Sequence, residues 1–187
     1  KYKFGKILRK FFMKLSYGCL FYDFRTTETF GKKFPNKYMI AVPNTINNLK
    51  IEKEFENKFG EKIDDYIKTK KKEKNIILFI GRLIKEKKPD ILIYAINELK
   101  NKLDNVFCYF IGEGEMRKNM EELIEKYDLK DNIKIVGELY EDDKISEYFS
   151  KAKLTVIPAN AGLSINHSMC YGVPVVIGDN FKSHGPE

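Results

Sequence analysis

Apolar and polar positions along this 187-residue chain follow two regimes, with a change near residue 75. Downstream of it, short apolar runs alternate with stretches of helical spacing. Residues 76–80, 106–111, 133–136, 154–157 and 173–177 read as strands. Between them, 89–103, 116–127, 142–150 and 165–171 carry apolar residues three and four apart, as in Ile91, Leu92, Ala95, Ile96 and Leu99. Five short strands alternating with four helices predict an α/β fold with a parallel sheet covered on both faces.

Upstream the pattern is less regular. Within residues 1–24, Phe4, Ile7, Leu8, Phe11, Phe12 and Leu15 fall near helical spacing among lysines. This predicts an amphipathic helix that either packs on other protein or lies on an anionic membrane surface. Packing is favoured, because a severed helix shows core residues that only resemble a membrane face. Residues 20–23 and 38–42 read as short strands, the second ending at Pro43-Asn44. Residues 47–74 are polar and charged, with a short helix expected inside 51–72. The expected layout is a domain remnant over 1–46, a linker or hinge over 47–74, and a domain over 75–187. The chain lacks an initial Met and stops at Gly185-Pro186-Glu187, so the expectation is truncation at both ends.

Composition narrows the class. A chain 43% hydrophobic and 33% charged is that of a soluble globular protein. No run approaches the roughly 18 apolar residues that a membrane span needs. Cys19, Cys108 and Cys170 lack metal-ligand spacing and read as reduced thiols of a cytoplasmic protein. The net charge of +7 is uneven, since residues 1–72 hold 18 Lys and Arg against 8 Asp and Glu. That basic first part would suit an acidic partner or the inner face of a membrane.

The candidate chemistry lies where the strands end, the edge at which such sheets bind ligands. The run 76–80 empties into Gly81-Arg82, with Lys85, Lys87 and Lys88 close behind. A glycine-led cationic loop before a helix suits an anion, and it equally suits an ordinary turn with solvated lysines. Gly112-Glu113-Gly114 follows the second strand, Gly137-Glu138 the third, and Pro158-Ala159-Asn160-Ala161-Gly162-Leu163-Ser164 the fourth. Together they line one sheet edge with backbone that a ligand can approach closely.

These segments resemble the group 1 (family 4) retaining glycosyltransferases, whose GT-B architecture pairs two Rossmann-like domains. The resemblance rests on F-I-G-R-L-I-K-E-K at 79–87, F-I-G-E-G-E at 110–115, I-V-G-E-L at 135–139 and P-A-N-A-G-L-S-I-N-H-S-M-C-Y-G-V-P-V-V at 158–176. V-P-N-T-I at 42–46 resembles the family's interdomain segment, so the likeness spans roughly 38–187. It implies the C-terminal half of such a fold, binding a nucleotide-diphosphate sugar for transfer with retention to a saccharide or lipid-linked acceptor, in polysaccharide biosynthesis. By position, Arg82 and Lys87 would hold the diphosphate and neutralise the leaving group, with no metal required. Gly81, Gly112 and Gly137 would line the donor site, the Gly137 loop near the base. Gly162, Leu163 and Ser164 would offer N–H groups to phosphate and sugar.

One departure stands out. The family's block carries two glutamates eight positions apart, and here those positions hold Ala159 and His167. His167 either hydrogen-bonds a ribose or sugar hydroxyl or is a half-buried helix histidine. Glu187 is a replacement carboxylate or a surface residue, and Asn160 a sugar contact or a turn residue. Tyr140 stacks on a base or is a surface aromatic. Glu113 and Glu115 read as solvated charges and His184 as a loop residue. With acceptor-side residues usually supplied by the other domain, the piece is expected to bind a nucleoside diphosphate weakly without turnover.

Three competing readings are a nucleotide-sugar epimerase or phosphorylase of similar architecture, a dinucleotide-binding oxidoreductase, and a basic binding module. The second needs G-x-G-x-x-G, and 112–117 lacks the third glycine. The third lacks a nucleic-acid motif, so no nucleic-acid partner is expected.

Overall fold

The computed structural model describes residues 2–43, 45–69 and 74–179. Contacts divide the chain into two compact units that meet between Thr45 and Ile46.

The first unit runs α1 (Tyr2–Leu15), β1 (Gly18–Phe21), α2 (Phe24–Lys33) and β2 (Tyr38–Ala41). β1 and β2 pair in parallel, Gly18 opposite Tyr38 and Phe21 opposite Ala41. The helix between them was not legible: F-R-T-T-E-T-F-G-K-K holds three threonines and a glycine, all weak helix formers. A cap and one ring contact override propensity. Asp23 accepts a hydrogen bond from the Thr26 N–H at 2.7 Å, which holds its carboxyl below the usual range. Phe30 of α2 stacks on Phe21 of β1 with ring centroids 5.4 Å apart.

The second unit opens with α3 (Asn48–Phe59) and α4 (Ile63–Thr69). Residues 47–74 were expected to link domains. Instead α3 and α4 bury Ile51, Phe55 and Ile63 in the core of this unit. Lysines and glutamates on the outer faces of these helices hid that apolar stripe. Asn47 caps α3 by accepting from the Lys50 N–H, and Gly60 closes it in the left-handed conformation at φ 74°. Lys50 pairs with Asp142 at 2.6 Å and Lys58 donates to the Asp143 carbonyl, binding α3 to the later helix that begins at Asp142.

The predicted alternation then follows as β3 (Asn75–Ile80), α5 (Pro89–Leu99), β4 (Val106–Ile111), α6 (Arg117–Lys126) and β5 (Ile133–Gly137). It continues with α7 (Asp142–Lys151), β6 (Leu154–Ile157), α8 (Ser164–Cys170) and β7 (Val175–Ile177). The five strands form one parallel sheet in the order β5-β4-β3-β6-β7. β3 is central, and its side chains alternate between two cores. Ile77 and Phe79 pack with Leu92, Ile96 and Met120 of α5 and α6. Ile76, Leu78 and Ile80 pack with Phe55, Ile145, Phe149 and Tyr171. Burial on both faces is why this strand reads as an unbroken apolar run. Among the described residues, no helix is long and apolar enough to cross a membrane.

Candidate functional site

The chain winds outward from β3 to β4 and β5, then returns to lay β6 and β7 on the other side of β3. Strand order therefore reverses between β3 and β6. The loops leaving these two strands splay to opposite faces and leave a crevice, the place where open α/β sheets take ligands.

Four strand-end loops converge there and are tied to one another. The Gly81 N–H donates to the Ile111 carbonyl at 2.9 Å, and the Gly112 N–H to the Gly137 carbonyl at 2.8 Å. Leu83 N–H donates to the Glu113 carbonyl at 2.8 Å. The buried Ser164 hydroxyl donates to the Ile80 carbonyl at 2.7 Å. Lys87 Nζ donates to the carbonyls of Asn160 at 2.8 Å and Ala161 at 3.1 Å. These bonds hold the backbones too close for side chains. A Cβ on Gly112, at φ 139°, would stand 2.1 Å from the Gly81 carbonyl oxygen. A Cβ on Gly81, at φ 140°, would meet Lys87 Cε and Ser164 Oγ at 3.2 Å.

The resulting cleft, of about 260 Å³, is lined by Gly81, Arg82, Gly112, Glu113, Glu138, Leu139, Tyr140, Leu163, Ser164 and His167, floored by Ile80, Ile111 and Ile145. Of the residues singled out from sequence, Gly81, Arg82, Gly112, Leu163, Ser164 and His167 come together on its walls. Gly137 ends the neighbouring strand β5, and Gly162 and Asn160 sit in the adjoining loop after β6. Glu187 and His184 lie outside the described residues.

The two cations of the first loop differ in placement. Arg82 is exposed at the cleft, and its guanidinium makes no hydrogen bond or ion pair among the described residues. Lys87 reaches under the loop after β6 and holds it by its carbonyls. That loop needs holding: Asn160 sits at φ 39°, a strained conformation for a residue with a Cβ. Lys87 thus shapes the cleft as well as charging it, a second role that spacing did not disclose.

Both departures from the glutamate pair have a structural counterpart. Ala159 is buried at 4% exposure, so the loop offers a carboxylate no solvated place there. His167 lies on the cleft wall with its ring edge toward Phe149, centroids 6.4 Å apart. Burial pushes its pKa below the ordinary value, against a weaker upward pull from Asp142. The imidazole is therefore held neutral, and a neutral imidazole can both accept and donate a hydrogen bond.

The acidic residues of the cleft are partnered. Glu113 pairs with Arg117, which also holds Glu121 at 2.8 Å. Glu138 accepts the Tyr140 hydroxyl hydrogen, which raises the phenol's pKa. Sequence reading placed Gly137-Glu138 and Leu139 at this sheet edge but missed Ile145, because only the tertiary packing brings the start of α7 to the cleft. Among the described residues no cluster of three or more His, Cys, Asp or Glu is placed to hold a metal ion.

Comparison with known proteins fits this geometry. The profile of the family described as "Glycosyl transferases group 1" matches residues 61–184. An uncharacterized glycosyltransferase of Methanocaldococcus jannaschii is 27% identical over 114 residues, covering 61% of this chain and 25% of that protein. The 2-deoxystreptamine N-acetyl-D-glucosaminyltransferase of Niallia circulans is 28% identical over 117 residues, covering 61% of this chain and 30% of that protein. The chain thus spans under a third of these relatives' length. The fold also superposes on a mutant TarM of S. aureus, solved with Fondaparinux, alpha-GlcNAc-glycerol and UDP. The TM-score is 0.60 at 19% identity, covering 88% of this chain and 30% of that one. The likeness is to the C-terminal half of a GT-B fold.

Proposed function

This chain belongs to the group 1 glycosyl transferases, and on that premise we propose that its second unit binds the nucleotide-diphosphate sugar from which the whole protein transfers a hexose, with retention, to a saccharide or lipid-linked acceptor. The observation that carries the reading is the meeting of Gly81-Arg82 with the loop before α8 at the reversal of strand order.

In this reading the diphosphate lies across the Gly81 loop. Arg82 meets it with a guanidinium that has no competing partner among the described residues, and guanidinium suits phosphate geometry. Lys87 Nζ adds its charge beside the Gly81 backbone. As the bond from sugar carbon to phosphate oxygen breaks, the electron pair stays on the leaving diphosphate. The two cations stabilise that growing charge, so no metal ion is required. His167 takes a ribose or sugar hydroxyl as a neutral donor and acceptor. Leu139 and Tyr140 flank the base. That UDP is bound in the TarM structure supports a uridine nucleotide as the first donor to try.

Calorimetric titration with nucleoside diphosphates and nucleotide-sugars tests this. Losing one charge-assisted contact costs about 1.5–3 kcal/mol, so Arg82→Ala should weaken binding roughly 10- to 100-fold. If Arg82→Ala and Lys87→Ala both bind like the parent, the site is wrongly placed.

A further inference from the structure

We propose that Glu113 reads the ribose hydroxyls of the bound nucleotide, and that Arg117 is the positioning residue that aims it. The assignment rests on the nucleotide reading above and refines it. Strand order supplies the first argument. The sheet runs β5-β4-β3-β6, and neighbouring strands stand about 4.8 Å apart, so the loops at their ends form a row. With the diphosphate across the loop after β3 and the base against Leu139 and Tyr140 after β5, the part of the ligand that joins them crosses the end of β4. That part is the ribose. Around the end of β4 the cleft is lined by Ile111, Gly112 and Glu113, and of these Glu113 alone has a polar side chain.

The carboxylate is held ready. Its Oε1 takes the Arg117 guanidinium and lies 3.4 Å from where a Cβ on Gly137 would stand. It therefore leans toward the end of β5, and the bare Gly137 leaves it room. Its other oxygen accepts no hydrogen bond among the described residues. Glu138, the other carboxylate on these walls, is already engaged by the Tyr140 hydroxyl. An ionised carboxylate is an acceptor only, which suits a sugar diol and opposes a phosphate. Helix stability does not account for Arg117. It opens α6, where the helix dipole opposes a cation, and exposed ion pairs add little stability. Holding Glu113 on one side and Glu121 at 2.8 Å on the other, it fixes the direction of the Glu113 carboxylate and offsets its charge beside a diphosphate.

Calorimetric titration with UDP, GDP and ADP, each beside its 2′-deoxy and 3′-deoxy counterparts, tests this. For the base bound best, the parent chain should favour the ribonucleotide over at least one deoxy form by about 10-fold or more, the worth of a charge-assisted hydrogen bond. Glu113→Ala, at an exposed position, should melt like the parent and bring that ratio to within about 2-fold. The ratio is the readout, because removing a negative charge beside the diphosphate strengthens ribo and deoxy forms alike. Arg117→Met should weaken all of them and narrow the same ratio. Equal binding of ribo and deoxy forms by the parent overturns the assignment, and so does a preference that survives Glu113→Ala. In both cases a loss of binding in Arg82→Ala leaves the nucleotide site standing. Failure of every nucleotide to bind the parent overturns the nucleotide reading itself, and this assignment with it.

Discussion

Thr155 is fully buried on β6, and its hydroxyl has no hydrogen-bond partner among the described residues. An unpaired buried hydroxyl costs on the order of 1–3 kcal/mol, and valine matches the shape without it. Thr155→Val should therefore raise the urea midpoint, by about 1 kcal/mol of stability. His167 gives a pH signature. Its pKa in the folded chain lies below the ordinary 6.5, so the unfolded chain takes up a proton that the folded chain resists. Stability from this group is intact above about pH 6.5, declines as pH falls below that, and levels off past the folded value. His167→Gln should flatten that part of a stability–pH curve. Lys87 shows how a residue can be legible and still incompletely read. Spacing places it beside the anion loop, but only the fold shows it holding Asn160 and Ala161 by their carbonyls. Lys87→Met should weaken diphosphate binding and also speed amide exchange at residues 159–163, whereas Arg82→Ala should change binding alone.

Among elements, α3 and α4 gain most from the tertiary structure. Phe55 of α3 lies 4.5 Å from Phe59, 5.2 Å from Tyr66 and 6.2 Å from Tyr171 between ring centroids. One side chain therefore joins both helices to the end of α8. Phe55→Ala should cost about 3–5 kcal/mol, measured by chemical denaturation of the second unit. The same helices read as a linker in sequence, since their exposed faces are highly charged and their buried residues few. β3 is the opposite case. Its sequence alone announces a strand, because both faces are buried and every position after Asn75 is apolar. The β4–β5 register shift at Ile111, which seats Gly137 beside Gly112, has no sequence signature.

For the whole molecule, the boundary at Ile46 predicts a separable second unit with two cores of its own. A chain of residues 46–187 should melt at the same temperature as the parent and bind nucleoside diphosphate equally well. A loss of several degrees would show that the first unit supports the second. The sequence by itself determined the alternation of strands and helices after residue 75, because period and apolar content are local properties of the chain. It also determined which strand-end loops carry glycine and cation, because residue type is itself a local property of the chain. The tertiary structure alone decided the rest. Strand order set the crevice between β3 and β6, hydrogen bonds across the loops made Lys87 a support, and burial turned residues 48–69 from a connection into core. All three depend on pairings between residues far apart in the chain, which no local pattern encodes.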